Sequence, residues 1–107
     1  MKKLELEEID FKQSLPIVYE DLEPILMVEL NALRDKLMAL PENSESSEIL
    51  NLFENCVLSL NKIDDNDAIE STIDTEEREG LCDALYKMGT IVGLDETTEY
   101  IDNWRAW

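Results

Sequence analysis

Apolar residues recur at steps of three and four positions through most of the chain, which is the spacing of an amphipathic α-helix. Two positions are suited to start the first helix, Ser14 ahead of Leu15 and Asp21 ahead of Pro24. Each places a capping side chain before a first turn that contains proline. A narrow leucine stripe follows at alternating steps of four and three: Leu26, Leu30, Leu33, Leu37 and Leu40. The stripe predicts a long helix that packs in a bundle and ends before Pro41.

The same spacing predicts two further helices. After a polar loop at residues 41–46, apolar positions cover more than half of a helix circumference: Ile49, Leu50, Phe53, Cys56, Val57, Leu60 and Ile63. This helix is expected at the centre of the bundle. The next one begins with a capping-box variant, Asp74 with Glu77, and its apolar positions are Leu81, Cys82, Leu85, Met88, Ile91 and Val92. Gly93 followed by Leu94 predicts a Schellman-type end.

Four small residues inside these helices carry expectations of their own. Gly80 and Gly89 each weaken a helix by about 1 kcal/mol relative to Ala, so we expect a neighbouring segment to approach closely at both. Cys56 and Cys82 are the two cysteines, and each lies in an apolar helical pattern. Two cysteines allow a disulfide, but two buried reduced thiols are the simpler interpretation.

The two ends of the chain are less regular. Residues 1–13 are predicted to form an N-terminal arm or a short helix, because Leu4 and Leu6 alternate with charges and Ile9 breaks that period. At the other end, Asp95 is predicted to cap a short helix that carries Tyr100, Ile101, Trp104 and Trp107 on one side. No Asn-Gly or Asp-Gly hairpin signal occurs. We therefore predict a single all-α domain over residues 1–107, a bundle of four main helices, or five with the short C-terminal one.

The net charge of the chain argues against several classes of function. The 107 residues include 26 acidic and 9 basic residues and no histidine, for a net charge of -17. This balance argues against nucleic acid and against anionic membranes as partners, because both are bound through Lys and Arg. The absence of histidine removes the usual general base and the commonest metal ligand. We expect a protein without enzymatic activity or cofactor whose partner is basic.

The acidic residues are concentrated between residues 64 and 83, with Arg78 as the one base among them. The predicted partner-binding set is Asp64, Asp65, Asp67, Glu70, Asp74, Glu76, Glu77, Glu79, Asp83 and Tyr86. Two interpretations remain open at this stage. The acids form either a solvated loop with ordinary helix N-terminal charges, or a docking surface that attracts a cationic partner and repels wrong ones.

The aromatic residues near this segment also have two interpretations. In the structural one, Trp104 packs on the bundle and Trp107 frays. In the functional one, Tyr86 is an exposed anchor, because Tyr and Trp beside charged residues are typical of interface hot spots. An exposed Tyr86 would strengthen the functional interpretation.

The sequence contains no complete motif for metal binding or for catalysis. Asp65-Asn66-Asp67 begins like a calcium-binding EF-hand loop, but Ile69 stands at a ligand position and Glu70 where the turn needs glycine. Cys82 has acidic neighbours that disfavour a thiolate. No phosphate-binding glycine loop occurs. No pair of carboxylates stands out for glycosidase chemistry.

The start of the chain suggests a compartment. Met1-Lys2-Lys3 begins like a signal peptide, but the residues after it are acidic where an apolar stretch is required. The longest apolar run, Ile25 to Val28, is far shorter than a membrane span. We expect a cytoplasmic protein.

A small, acidic, helical domain without catalytic groups resembles the immunity proteins of bacterial toxin–immunity systems. The likeness is carried by residues 75–86, TEEREGLCDALY, by residues 91–95, IVGLD, and by residues 104–107, WRAW. It is closest to the families of contact-dependent inhibition and other polymorphic toxins, since the paired-tyrosine helix motif of nuclease-colicin immunity proteins is absent. The resemblance implies tight binding to one cognate toxin domain, a basic nuclease, whose phosphate-binding surface the carboxylates would occupy.

Two other classes of binding protein remain as alternatives. A nucleic-acid mimic that inhibits a nuclease would space its carboxylates along an extended face. An adaptor or structural subunit of a larger assembly would expose an apolar face, for which the stripe from Leu26 to Leu40 is the candidate.

Overall fold

The computed structural model describes residues 2–41, 44–95 and 98–107, and part of the predicted polar loop at 41–46 lies outside these ranges. Within them the chain is all-α and contains no strand, which confirms the predicted fold class. The helices are α1 (Lys2–Glu8), α2 (Phe11–Ser14), α3 (Glu23–Ala39), α4 (Ser46–Asp64) and α5 (Thr75–Ile91), followed by a 3₁₀ turn, Tyr100–Asn103. No described helix combines the length and the apolar character needed to cross a membrane.

The core is centred on the contact between α3 and α4. Four leucines of the predicted stripe are buried, Leu26, Leu30, Leu33 and Leu37, and Leu40 is partly buried at the end of α3. From α4, Phe53, Val57 and Leu60 are fully buried in the same core. Burying one such side chain contributes about 1.5–3 kcal/mol to folding. The predicted end of α3 before Pro41 agrees with this arrangement. The predicted central position of α4 is wrong, since α3 is the helix that contacts α1, α4 and α5, whereas α4 packs mainly on α3 and on the 3₁₀ turn.

Both ends of α5 have the predicted geometry. At the start, the carboxylate of Glu77 accepts a hydrogen bond from the backbone N–H of Asp74, and the Asp74 side chain accepts from the helix in return. At the end, Gly93 has φ of 91° and the N–H of Leu94 donates to the carbonyl of Gly89 at 2.8 Å. This bond closes a Schellman motif, in which glycine takes the left-handed position.

The two glycines inside α5 lie where other segments approach, as predicted. A Cβ atom at Gly80 would stand 2.5 Å from the carbonyl oxygen of Ser14 and 2.3 Å from the side chain of Leu15. A Cβ atom at Gly89 would stand 1.9 Å from the hydroxyl oxygen of Tyr100. The chain before α3 and the C-terminal turn therefore both rest directly on the backbone of α5.

Of the two predicted starts of the first long helix, the one at Ser14 is wrong, and the one at Asp21 lies one residue before the observed N-cap position, with Pro24 in the first turn as expected. Ser14 is the last residue of α2, which Asp10 caps, and residues 15–22 are not helical. The residue before a proline disfavours the helical conformation, and Leu15 before Pro16 has φ of -122° and ψ of 61°. The N-cap position of α3 is Leu22, because the Asp21 carboxylate is used elsewhere and accepts from the N–H of Ser71. We call residues 15–22 the crossing segment.

The N-terminal residues form two short helices instead of an extended arm. Leu6 of α1 and Phe11 of α2 are both buried in the core. The guanidinium group of Arg34 lies 5.0 Å from the centre of the Phe11 ring and donates a hydrogen bond to the carbonyl of Ile9 at 3.2 Å. These contacts hold the two short helices on α3, so the short-helix alternative for residues 1–13 holds.

The C-terminal segment differs from its prediction. The 3₁₀ turn replaces the predicted helix, and residues 96–97, which follow the proposed cap at Asp95, lie outside the described residues. Trp107 does not fray, since it is 8% exposed. The side chain of Asn61 in α4 explains this, because its amide donates to the carbonyl of Trp104 at 2.8 Å and its oxygen accepts from the N–H of Ala106 at 2.9 Å. The predicted packing of Trp104 is confirmed, since its ring lies 6.2 Å from the buried ring of Tyr100.

Candidate functional site

The N-terminus of α5 meets the crossing segment around one buried carboxylate. Glu77 is 3% exposed, and its two oxygens accept hydrogen bonds from the backbone N–H groups of Tyr19 and Asp74, each at 3.2 Å. Within the described part of the chain, no basic side chain pairs with Glu77. Its charge is therefore balanced by N–H donors and by the positive end of the α5 dipole. Glu77 was predicted as a surface contact, and its burial makes it a structural residue.

The crossing segment brings exposed apolar groups beside the acids. Ile17 is 66% exposed and Tyr19 is 47% exposed. The hydroxyl of Tyr19 donates a long hydrogen bond, 3.4 Å, to the carboxylate of Asp74. The negative charge of Asp74 and this hydrogen bond raise the pKa of the Tyr19 hydroxyl, with smaller contributions from desolvation, Glu77 and Asp21. Tyr19 thus stands in a field of negative charge.

A groove of about 310 Å³ lies where the crossing segment meets the start of α5. Residues 17–19 form one wall and residues 74–77 form the other. Three carboxylates line it, those of Asp74, Glu76 and Glu77, and its lining includes no Lys or Arg. We call it the acidic groove.

The linker between α4 and α5 is folded back onto its neighbours. The carboxylate of Asp64 accepts from the N–H of Ile73 at 2.7 Å, and that of Asp21 accepts from the N–H of Ser71 at 3.0 Å. Hydrogen bonds from the side chain and the backbone of Ser71 lower the pKa of Asp21. Asp64, predicted as a partner contact, therefore also has a structural role.

Five of the predicted residues remain available to a partner. They are exposed and, within the described residues, their side chains form no hydrogen bond or ion pair: Asp65, Asp67, Glu70, Glu76 and Glu79. We call these five the free acids. The free acids repel one another, which destabilises the folded chain, and only Glu76, in the first turn of α5, is favourably placed at the positive end of a helix dipole.

Asp83 and Tyr86 do not extend this set. Asp83 pairs with Lys87 at 3.0 Å and accepts from the hydroxyl of Ser14 at 2.7 Å. Burial alone would raise the pKa of Asp83, but the bonds from Ser14 and Lys87 and the charge of Lys87 outweigh it and lower the pKa. Tyr86 is half-buried, with its ring edge-on to Tyr100 at 5.2 Å, and burial raises its pKa. The predicted anchor is thus a packing residue.

The exposed aromatic residue beside the acids is Tyr19, which the sequence reasoning missed. The signal was present in Leu15-Pro16, since a residue before proline disfavours a helix. A non-helical segment at this point leaves Ile17 and Tyr19 outside any amphipathic pattern. Their placement beside residues 74–77 depends on hydrogen bonds between positions 58 and 55 residues apart in sequence, which no local pattern indicates.

The two cysteines are free, and neither has the surroundings of a reactive thiol. Cys56 is buried between α3 and α4, and burial, with a smaller effect of Glu29, raises its pKa to about 12. Cys82 is half-buried, and burial raises its pKa as well. Reactive cysteines have lowered pKa values, whereas the pKa values of Cys56 and Cys82 are both raised, which disfavours the nucleophilic thiolate at either position. Among the described residues no group of three metal-binding side chains comes together.

Comparisons of the chain with protein-family models, with curated proteins and with solved structures gave no significant match.

Proposed function

We propose that the chain is an immunity protein that binds a basic bacterial toxin domain, a nuclease, and neutralises it in the cytoplasm. The observation that carries the proposal is the set of free acids, of which Glu76 lines the acidic groove together with the exposed Ile17 and Tyr19. Carboxylates without partners in their own chain are suited to contact Lys and Arg side chains of another protein. An exposed aromatic residue beside them supplies apolar contact area at the same surface.

The physical mechanism is attraction followed by occlusion. A net charge of -17 draws a basic domain into encounter over about 10 Å at moderate salt, because the ions of the solution screen charge beyond that distance. Once docked, the carboxylates occupy the surface that binds the phosphates of the substrate. Such an inhibitor performs no chemistry.

The alternatives are less well supported. A structural subunit called for an exposed apolar face from Leu26 to Leu40, but four of its five leucines are buried and Leu40 is partly buried. A nucleic-acid mimic needs no aromatic or aliphatic contact beside its carboxylates. The apolar wall of the acidic groove therefore favours a protein partner that is recognised by shape as well as by charge.

The test is neutralisation of a toxin encoded beside this chain. The protein of the neighbouring open reading frame is expressed in a bacterial host, alone and together with this chain. We expect growth to stop without the chain and to recover with it. A variant with Asp67, Glu70, Glu76 and Glu79 changed to Lys is expected to fold and to fail to protect. A neighbouring protein that is harmless, or one whose toxicity this chain does not relieve, contradicts the proposal.

A further inference from the structure

The acidic groove combines two kinds of wall. One wall presents the exposed side chain of Ile17 and the half-exposed ring of Tyr19. The opposite wall presents the carboxylates of Asp74 and Glu76. The exposed parts of Ile17 and Tyr19 gain no burial within the chain, and the carboxylates of Asp74 and Glu76 repel one another. Neither the exposed apolar surface nor this repulsion stabilises the fold at this place. A ligand that fits both walls must have an apolar or planar part and a positive charge.

Within the described residues, no Lys or Arg side chain pairs with the carboxylates of the groove. Glu77, at the base of α5, is buried without a basic partner in the described residues. Glu76 is exposed and its carboxylate accepts no hydrogen bond there. The Asp74 carboxylate accepts from the N–H of Thr75 at 2.9 Å and from the N–H of Glu77 in the capping box, and one of its oxygens also has the long bond from Tyr19. A carboxylate normally accepts several hydrogen bonds, so Asp74 and Glu76 both retain acceptor capacity towards the groove.

We propose that the acidic groove binds an arginine side chain of the basic partner. The planar guanidinium group stacks on the ring of Tyr19 and donates hydrogen bonds to the carboxylates of Asp74 and Glu76. An apolar residue next to that arginine covers Ile17. This inference rests on the proposed function, and it names the side chain that the partner contributes to this surface.

Arginine fits the groove better than lysine for geometric reasons. Its guanidinium group is flat, it stacks on aromatic rings, and its five N–H donors form a rigid fork that serves two carboxylates at once. The lysine ammonium group is a compact, strongly hydrated charge that gains less from an aromatic face. Hydrogen bonds between two charged groups are also about twice as strong as neutral ones, which favours a positively charged ligand over a neutral one of the same shape.

Three capped peptides test the preference directly. Acetyl-Leu-Arg-Leu-amide, the same peptide with lysine and the same peptide with citrulline are titrated into the ¹⁵N-labelled full chain at low salt. We expect the arginine peptide to shift the backbone amide signals of Tyr19, Asp74 and Glu76. The lysine peptide should bind at least fivefold more weakly, and the neutral citrulline peptide should cause no saturable shift. Equal binding of the arginine and lysine peptides, or no shift at these residues, overturns the proposal.

Variants distinguish the contribution of the groove to peptide binding from that of the net negative charge of the chain. Glu76→Gln and Glu70→Gln remove the same charge, but Glu70 does not line the groove. We expect Glu76→Gln to weaken arginine-peptide binding at least fivefold and Glu70→Gln to weaken it less than twofold. Tyr19→Phe keeps the ring and should retain binding, whereas Tyr19→Ala should lose it. Equal effects of the two glutamine variants contradict a defined arginine site, and circular dichroism of each variant checks the fold.

The outcome for the arginine site is distinguishable from the outcome for the proposed function. If the chain neutralises the toxin and Tyr19→Phe and Tyr19→Ala both neutralise it equally well, the arginine site is wrong and the proposed function stands. If the arginine peptide binds as described and the chain protects against no neighbouring toxin, the groove stands and the proposed function is wrong.

Discussion

The contact between α3 and α4 and the meeting of the crossing segment with α5 are held together by different forces. The first is a dry apolar surface in which leucines of α3 face Phe53 and Val57 of α4. The second adds directional bonds to the packing of Leu15 on Gly80: the hydroxyl of Ser14 donates to Asp83, and the N–H of Tyr19 donates to the carboxylate of Glu77. Apolar burial is non-directional and strong, whereas a few hydrogen bonds fix geometry. The residues that hold the fold together are thus buried or hydrogen-bonded, whereas the free acids are exposed and available to a partner.

The largest effect is expected from the apolar contact. Phe53 is fully buried, and Phe53→Ala removes its packing and leaves a cavity, so the free energy of unfolding should fall by about 3–5 kcal/mol. Urea unfolding followed by circular dichroism measures this. The matched control is Leu58→Ala on the exposed face of the same helix, which should cost less than about 1 kcal/mol. Equal losses in the two variants would show that α4 is not packed as described.

The next effect distinguishes two glutamates of α5 that are two residues apart. Glu77→Ala leaves the N–H groups of Tyr19 and Asp74 without their acceptor, and we expect a loss of about 2–3 kcal/mol. Glu79→Ala removes an exposed side chain and should change stability by less than about 0.5 kcal/mol. Both variants remove one negative charge, so the difference measures the hydrogen bonds. A loss shared equally by both would contradict the structural role of Glu77.

The free acids should have the opposite effect on stability. Changing Asp65, Asp67, Glu70, Glu76 and Glu79 to the corresponding amides reduces repulsion, and none of these side chains supports the fold through a bond of its own. We expect the variant to be as stable as the parent chain or more stable at low salt, with the difference shrinking as salt is added. A variant that is clearly less stable than the parent would mean that these acids do support the fold.

The smallest effect concerns the two thiols, one from each region. Cys56 lies in the apolar contact with its pKa raised to about 12, and Cys82 lies half-buried on α5. At pH 8, maleimide should modify Cys82 slowly and leave Cys56 unmodified in the native chain, because both thiols stay protonated and Cys56 is also inaccessible. Mass spectrometry after proteolysis identifies the modified position. Equal labelling of both thiols in native buffer would contradict the burial of Cys56.

The two regions also differ in how well the sequence predicted them. The leucine stripe, the capping box and the Schellman end were predicted correctly, because each is coded by the residues of a single helix and its ends. The crossing segment was not, since Ser14 and Leu15-Pro16 are compatible with a helix start as well as with a helix end. The choice is made by contacts distant in sequence, such as that of Leu15 with Gly80. The burial of Trp107 depends likewise on Asn61, which no local pattern connects with the C-terminal residues.

The structure distinguishes among the members of the predicted site, because some of these acids are structural and others are exposed without a bond. The sequence shows that acidic residues are concentrated between residues 64 and 83, but it does not show which carboxylates are exposed and which cap a helix. Glu77 is buried and Asp64 and Asp74 bind backbone N–H groups, while the free acids have no such partner in the described residues. The aromatic neighbour is Tyr19 and not Tyr86, because the former is contributed by a segment that was predicted to be helical.

We propose that the free acids serve a partner and not the fold, and the rate of association with that partner is the decisive measurement. Stopped-flow measurement at low salt compares the neighbouring toxin domain with the parent chain and with the variant in which Asp67, Glu70, Glu76 and Glu79 are changed to Lys. Since electrostatic attraction acts on encounter, we expect the association rate to fall at least tenfold while circular dichroism stays unchanged. An unchanged association rate would contradict the claim.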